Sequence, residues 1–320
     1  PRVMPKSYIV SAVGVVGFTL KHALKLSQIQ ALIAVADTGS IRAAARRVGL
    51  TQPGLSKSLR ALEEELGVTL VHRTSSGVSL TPFGLATLKR GRGISQELDR
   101  LRSEVQQMRG RLEGQISVAV SPNPALLLLP KVLHRFHQAY PSVQVQVREA
   151  VYPDTLRLLR EGLVDLALGA HPPPTEVKQT EFMVQPLYAN RLVVCGRRGH
   201  PLSGCATLAE LLHSPWVLHG PEDGPGSMFA PTFRARGLEP PRAWTISHSL
   251  VTTLGLIESS DSLSLLPQRL VEHDTMAARL TALPLTDLDA LAEVMLVVRA
   301  GQSATPMAQK LIDMLRRTPA

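Results

Sequence analysis

The sequence predicts an N-terminal all-α winged helix-turn-helix followed by an α/β domain, and three observations carry that prediction. Residues 39–73, GSIRAAARRVGLTQPGLSKSLRALEEELGVTLVHR, read as two short helices closing a tight turn and running into a hairpin. From residue 82 a mostly polar stretch bears apolar residues at alternating three- and four-residue steps, the pattern of one long helix. Past Gly114 short apolar strands alternate with helices, the layering of an α/β domain.

The first 23 residues read as an extension. Their apolar run, residues 9–20, follows Arg2 and Lys6 but is too short to span a bilayer and lacks a cleavage site, so mobility is expected and no function is assigned. A helix over residues 27–36 would bury Ile29, Leu32, Ile33 and Ala36. Ser40 can cap a second helix, residues 41–48, which Gly49 stops in the left-handed conformation. Thr51 can cap a third, where Pro53 sits in the first turn and its missing N–H costs nothing. There Leu55, Leu59, Leu62 and Leu66 recur at helical spacing and turn inward, which leaves Gln52, Ser56 and Arg60 stacked outward with Lys57 beside them. Residues 68–81 read as two strands around Thr74-Ser75-Ser76-Gly77, a wing carrying Arg73.

The long helix runs from residue 81 or 82 to 107–111. Ile94, Leu98, Leu101, Val105, Met108 and Leu112 form the seam of a two-stranded coiled coil, while Asp99, Arg100, Arg102 and Glu104 solvate the rest. A helix packed on its own domain is the competing reading. Gly91 and Gly93 weaken it locally and predict a bend. Strands follow at 115–120, 143–147 and 164–168, with helices at 126–139 and 154–161 between them. A second set lies at 192–196, 216–219, 244–247, 263–266, 280–283 and 294–298, and a helix at 306–317 closes the chain.

Charge is unevenly shared. The 320 residues carry a net +9; residues 1–23 hold three Lys or Arg and no acid, 24–110 hold 13 against 7, and 111–320 hold 19 of each. The excess therefore sits with the helix-turn-helix, which is the electrostatic footprint of nucleic-acid contact. Only Cys195 and Cys205 occur, too few for a secreted disulfide scaffold, and Cys195 lies in an apolar run, so structural thiols in a cytoplasmic protein are expected. No phosphate loop, Gly-x-Ser-x-Gly, Cys-x-x-Cys or His-Glu-x-x-His motif is present. His134 and His137 share a helix without a third ligand. No enzymatic activity, metal, cofactor or membrane partner is expected.

Ligands of open α/β sheets lie beyond the C-terminal strand ends. Those ends offer Ser121, Pro122 and Asn123, then His171, then His219, then Ser247, His248 and Ser249, a set of hydroxyls, amides and imidazoles suited to a small anion.

The run GSIRAAARRVGLTQPGLSKSLRALEEELGVTL, then Arg73, GVSLT at 77–81 and Gly84, with GLVDLALGA at 162–170, RRGHPL at 197–202 and LSLLP at 263–267, resembles the LysR-type transcriptional regulators. The family usually has Ala where Gly54 stands and Phe where Val71 stands. This resemblance implies a mobile extension at 1–23, a DNA-binding domain at 24–81, a dimerisation helix at 82–113 and an effector domain at 114–320. It also implies two Rossmann-like lobes, 114–187 with 299–320 and 188–298, joined by crossover strands as in a periplasmic binding protein. Gln52, Pro53, Ser56, Lys57 and Arg60 would then enter the major groove, with Thr51 and Arg73 at phosphates. The implied partners are promoter DNA with an interrupted palindrome, a small effector, a second copy in a dimer that pairs into a tetramer, and RNA polymerase. Ser260-Asp261-Ser262 resembles the branch that answers aromatic acids. Two other readings compete: an architectural protein that packs DNA without a signal, and a ligand-binding or catalytic α/β protein with an incidental helix-turn-helix.

Overall fold

The computed structural model describes residues 24–74, 77–170, 180–222, 224–243 and 245–319, and only the backbone of Arg73 and Thr74. Contacts divide the chain into two compact units that meet between Ser95 and Gln96. The expected extension at 1–23, the wing tip Ser75-Ser76 and His171 lie outside the described residues.

In the first unit α1 (Leu26–Thr38), α2 (Ile41–Arg47) and α3 (Gln52–Leu66) pack around Leu32, Leu55, Leu59 and Leu62. Ser40 Oγ accepts from Ala43 N and Thr51 Oγ1 from Gly54 N, so both predicted caps form. A Cβ on Gly54 would lie 3.1 Å from that Thr51 hydroxyl; glycine leaves the cap room to close. Two expectations shift. Leu66 is 37% exposed because α3 ends one residue later, at the left-handed Gly67, beyond the core. On α1, Gln28, Ala31, Ala34 and Val35 are buried while Ile33 and Ala36 are half-buried, since the helix is covered on more than one side.

The wing is β1 (Val71–Thr74) paired antiparallel with β2 (Gly77–Leu80). Val78 N donates to Gly39 O, and Glu63 Oε1 accepts from Leu70 N and Val71 N, which ties the wing to the α1–α2 turn and to α3. Thr81 Oγ1 donates to Thr69 O and accepts from Gly84 N, starting α4 (Pro82–Met108). A Cβ on Gly84 would sit 2.0 Å from the Leu70 carbonyl oxygen, which is backbone and cannot yield. Gly84→Ala is therefore expected to destabilise the N-terminal unit by about 3 kcal/mol. Calorimetry would show its transition moving down by more than ten degrees or so, with that of the second unit unmoved.

No bend is needed at Gly91 and Gly93. The helix continues through both, and Gly91 is there because a Cβ would lie 2.6 Å from Ile29 Cγ2 on α1.

In the second unit β3 (Gly114–Val120) pairs in parallel with β4 (Val143–Glu149) and β5 (Leu166–Ala170), while β6 (Phe182–Arg197) and β11 (Leu291–Arg299) pair antiparallel with each other. β11 also pairs with β5, and β6 extends on to β9 (Ser264–Pro267) and β10 (Leu280–Ala282). These two long strands therefore carry the chain between two α/β lobes. One core gathers Ile116, Phe136 and Leu311 beneath α5 (Pro122–Leu127), α6 (Leu129–Ala139) and α12 (Pro306–Arg317), and a second gathers Ala119, Ala167 and Phe182 beneath α7 (Asp154–Arg160). Another gathers Trp216, Phe229 and Phe233, with the parallel pair β7 (Val217–His219) and β8 (Thr245–Ser247) and with α8 (Phe229–Arg234), while Cys195 and Leu266 pack against α9 (Leu250–Glu258), α10 (Gln268–Val271) and α11 (Asp274–Ala277).

One prediction about α4 needs correcting. Arg100 does not solvate an open face: it is 14% exposed, ion-paired to Asp165, and donates to the Gly162 carbonyl. Gln96 donates to Leu163 O, and Gln107 donates to Glu113 O while accepting from Met307 N. Positions 96, 100, 103 and 107 form one stripe of the helix, docked on the α/β unit, and the apolar seam is two residues out of phase, on the far side.

Candidate nucleic-acid interface and effector cavity

The burial of Leu55, Leu59 and Leu62 fixes the rotation of α3 and so decides what it presents outward. Gln52, Pro53, Lys57 and Arg60 are exposed and Ser56 half-buried, and Pro53, Ser56, Lys57 and Arg60 border one shallow surface concavity with Glu64. None of Gln52, Ser56, Lys57 and Arg60 has a side-chain hydrogen bond or ion pair to another described residue. A row of donors and acceptors left free on a rigid helix can meet base edges without first breaking internal bonds. Arg47 and Arg92 differ, since both pair with Asp37. Thr51 is exposed and spends its oxygen on the cap, leaving its O–H able to donate outward. Arg73 lies on β1 with its side chain outside the described residues. Sequence reasoning missed Glu63 and Glu64, the one bracing the wing and the other carrying an acid onto the outer face.

Between the lobes of the second unit lies a cavity of about 570 Å³. Ser121, Pro122, Asn123 and His219 line it, as expected; Ser247, His248 and Ser249 do not. The reason is local. Ser247 Oγ donates to Ser249 O, and Ser249 Oγ accepts from Thr252 N, so both hydroxyls serve the start of α9 and Leu250 faces the cavity instead. Apolar side chains such as Leu218, Phe229, Leu265 and Val294 make most of the wall. Among the described lining residues only His219 and Glu293 can ionise.

His219 is mostly neutral. Burial, and then the charge of His248, push its imidazole down to about 4, and Nδ1 lies 3.3 Å from Thr253 Oγ1. The unfolded chain binds a proton there below pH 6.5 and the folded chain does not until about 4, so stability falls with pH through that window. The penalty approaches roughly 3 kcal/mol. His219→Gln is expected to flatten the acid limb of a urea-unfolding profile between pH 6.5 and 4.

Tyr188 Oη donates to Asn123 Oδ1 at 3.2 Å. Burial pushes this phenol up to about 12 against the opposing charge of Arg269 and the neighbouring Asn190 amide. Ser121 Oγ has no hydrogen-bond partner among the described residues. Cys195 is buried on β6 and burial lifts its thiol to about 12, so it is no accessible thiolate. Among the described residues no group of three His, Cys, Asp or Glu could hold a metal, and no helix is long and apolar enough to cross a membrane.

Comparison with known proteins fits this geometry. Residues 26–85 match the bacterial regulatory helix-turn-helix protein, lysR family, and residues 109–320 match the LysR substrate binding domain. The SDS degradation transcriptional activation protein of Pseudomonas sp. (strain ATCC 19151) is 31% identical over 311 residues, covering 92% of this chain and 97% of that protein. A probable nitrogen assimilation transcriptional activator of Synechococcus elongatus is 29% identical over 295 residues, 92% of this chain and 94% of its own length. The crystal structure of CbnR, a LysR family transcriptional regulator, superposes with a TM-score of 0.73 at 21% identity, covering 92% of this chain and 99% of the other. CbnR in complex with its target DNA gives 0.71 over the same shares.

Proposed function

Because the chain belongs to the LysR family of DNA-binding transcriptional regulators and carries that family's effector-binding domain, we propose that it reads an interrupted palindrome upstream of its target genes and answers a small molecule held in the cavity between its two lobes. The observation that carries this reading is the free polar face of α3. Gln52, Ser56, Lys57 and Arg60 have no role in holding the fold and stand on a helix whose opposite side is locked by leucines.

In this reading two chains pair through the apolar seam of α4, and dimers associate further into a tetramer that bends the site. Thr51 and Arg73 contact phosphates; Gln52 and Ser56 choose bases; Pro53, Lys57 and Arg60 lie in the groove. Ser121, Pro122, Asn123 and His219 meet the effector. Closure of the lobes about β6 and β11 would shift the surface that holds the end of α4, since Arg100 and Gln107 fasten that helix to one lobe. The protein acts without catalysis, in the cytoplasm, with RNA polymerase as its downstream partner.

A gel-retardation series on the chain's own upstream region tests it, run between 50 and 200 mM salt with and without a small-molecule panel. Retention of one fragment over competitor, altered in mobility or affinity by a compound that also raises the melting temperature, is expected. Retention of all fragments alike would contradict it.

A further inference from the structure

The expectation of an anionic effector meets three obstacles in the cavity. No lysine or arginine stands among the described lining residues, and the charged side chain that does, Glu293, is an acid. Arg269 acts on Tyr188 from outside the lining. The chain entering α5 also offers few backbone donors to cradle a carboxylate. Two of the first three residues of α5, Pro122 and Pro124, have no N–H at all. At α9 the first-turn amide of Thr252 is taken by Ser249.

What the cavity does offer is an apolar body and a small neutral polar end. Leucines, Phe229 and Val294 supply the first. The second is built at one place. Ser121 Oγ, on a residue 9% exposed, has no partner among the described residues, and Asn123 beside it accepts from Tyr188 while its amide N–H₂ donates to no described residue. On β6, Tyr188 and Asn190 pair with Val294 and Ala292 of β11, which line the cavity, and stand behind its wall rather than in it. Asn190 is 1% exposed and its amide lies beside Tyr188, with no other partner among the described residues.

We infer that the effector is an uncharged, largely apolar molecule whose carbonyl, amide or hydroxyl group bonds to Ser121 and Asn123, and that the site selects against the matching carboxylate. This rests on the reading of the cavity as the effector site. Desolvating a carboxylate against an apolar wall and Glu293, with no Lys or Arg among the described lining residues, disfavours the anion; a neutral head leaves nothing charged to compensate.

The test uses the purified full-length protein and matched ring compounds: benzamide against benzoate, and 2-naphthamide and 2-naphthol against 2-naphthoate. Calorimetric titration is expected to show the neutral members binding roughly tenfold or more tightly than their carboxylates. Ser121→Ala should weaken the neutral members by about tenfold with an unchanged melting temperature, because the hydroxyl holds no structural bond. Asn123→Ala provides an independent second variant. Equal or tighter carboxylate binding, no binding by any member, or neutral affinities untouched by both variants would overturn the inference. Promoter retention by the same preparation separates the two claims: failed probes with retained DNA sink this inference alone, whereas lost retention sinks the regulator reading.

Discussion

Leu101→Asp combined with Val105→Asp is expected to leave the purified protein monomeric, where the unaltered chain is expected to self-associate through α4, and to cost two to three orders of magnitude in operator affinity. Both residues lie on α4 among apolar side chains left exposed by the described residues: Ile94 is 52% exposed, Leu101 55%, Val105 47%, Met108 77% and Leu112 51%. Their steps of four and three match a two-stranded seam. The opposite stripe of the same helix is already occupied, since Gln96, Arg100 and Gln107 bond to the α/β unit. A helix fastened on one side by polar contacts and left apolar on the other has its free side available for a second copy. Two aspartates facing two more across that seam would place like charges in a desolvated contact. DNA affinity falls with it because two linked recognition helices bind with an effective concentration near millimolar, an advantage of roughly 10² to 10⁴ that a monomer lacks. Light scattering and gel retardation read the two effects. A variant that keeps the dimer mass would remove α4 from the interface.

Gln52→Ala with Arg60→Ala is expected to abolish discrimination between operator and competitor DNA while leaving the fold intact. Both side chains are exposed and bonded to no other described residue, so the melting temperature should move by no more than a degree or two, as for ordinary surface changes. Each lost base contact removes about 1–3 kcal/mol of discrimination, which together is a hundredfold or more. Residual binding should persist on the proposed phosphate contacts of Thr51 and Arg73, and it should weaken steeply with salt. Unchanged operator affinity would favour an α/β ligand-binding protein whose helix-turn-helix is incidental.

The helix-turn-helix was legible in the sequence because its determinants are local. Ser40, Thr51, Gly49 and Gly67 act within one helical turn, and the leucines of α3 repeat at a period that a single helix dictates. The cavity was half legible. Ser121 and Asn123 follow from where β3 ends, but Ser247 and Ser249 have hydroxyls that could serve either a ligand or a helix start, and only the fold shows that α9 takes them. Arg100 reads as a solvated charge on an amphipathic helix; its partner Asp165 lies far along the chain, a pairing no local pattern announces. Gly91 reads as a helix weakness for the same reason, since Ile29 fills the space beside it. The neutrality of His219 and the burial of Asn190 likewise depend on neighbours brought in by β6, β11 and the second lobe.

DNase footprinting of the purified protein on the region upstream of its own gene, at about 0.1 M salt, tests the central claim most directly. Two protected half-sites on one face of the duplex are predicted, both lost with Gln52→Ala and Arg60→Ala, and spacing that changes when an effector fills the cavity. Protection spread evenly along the fragment, or none at all, would contradict the assignment of α3 as the helix that reads DNA.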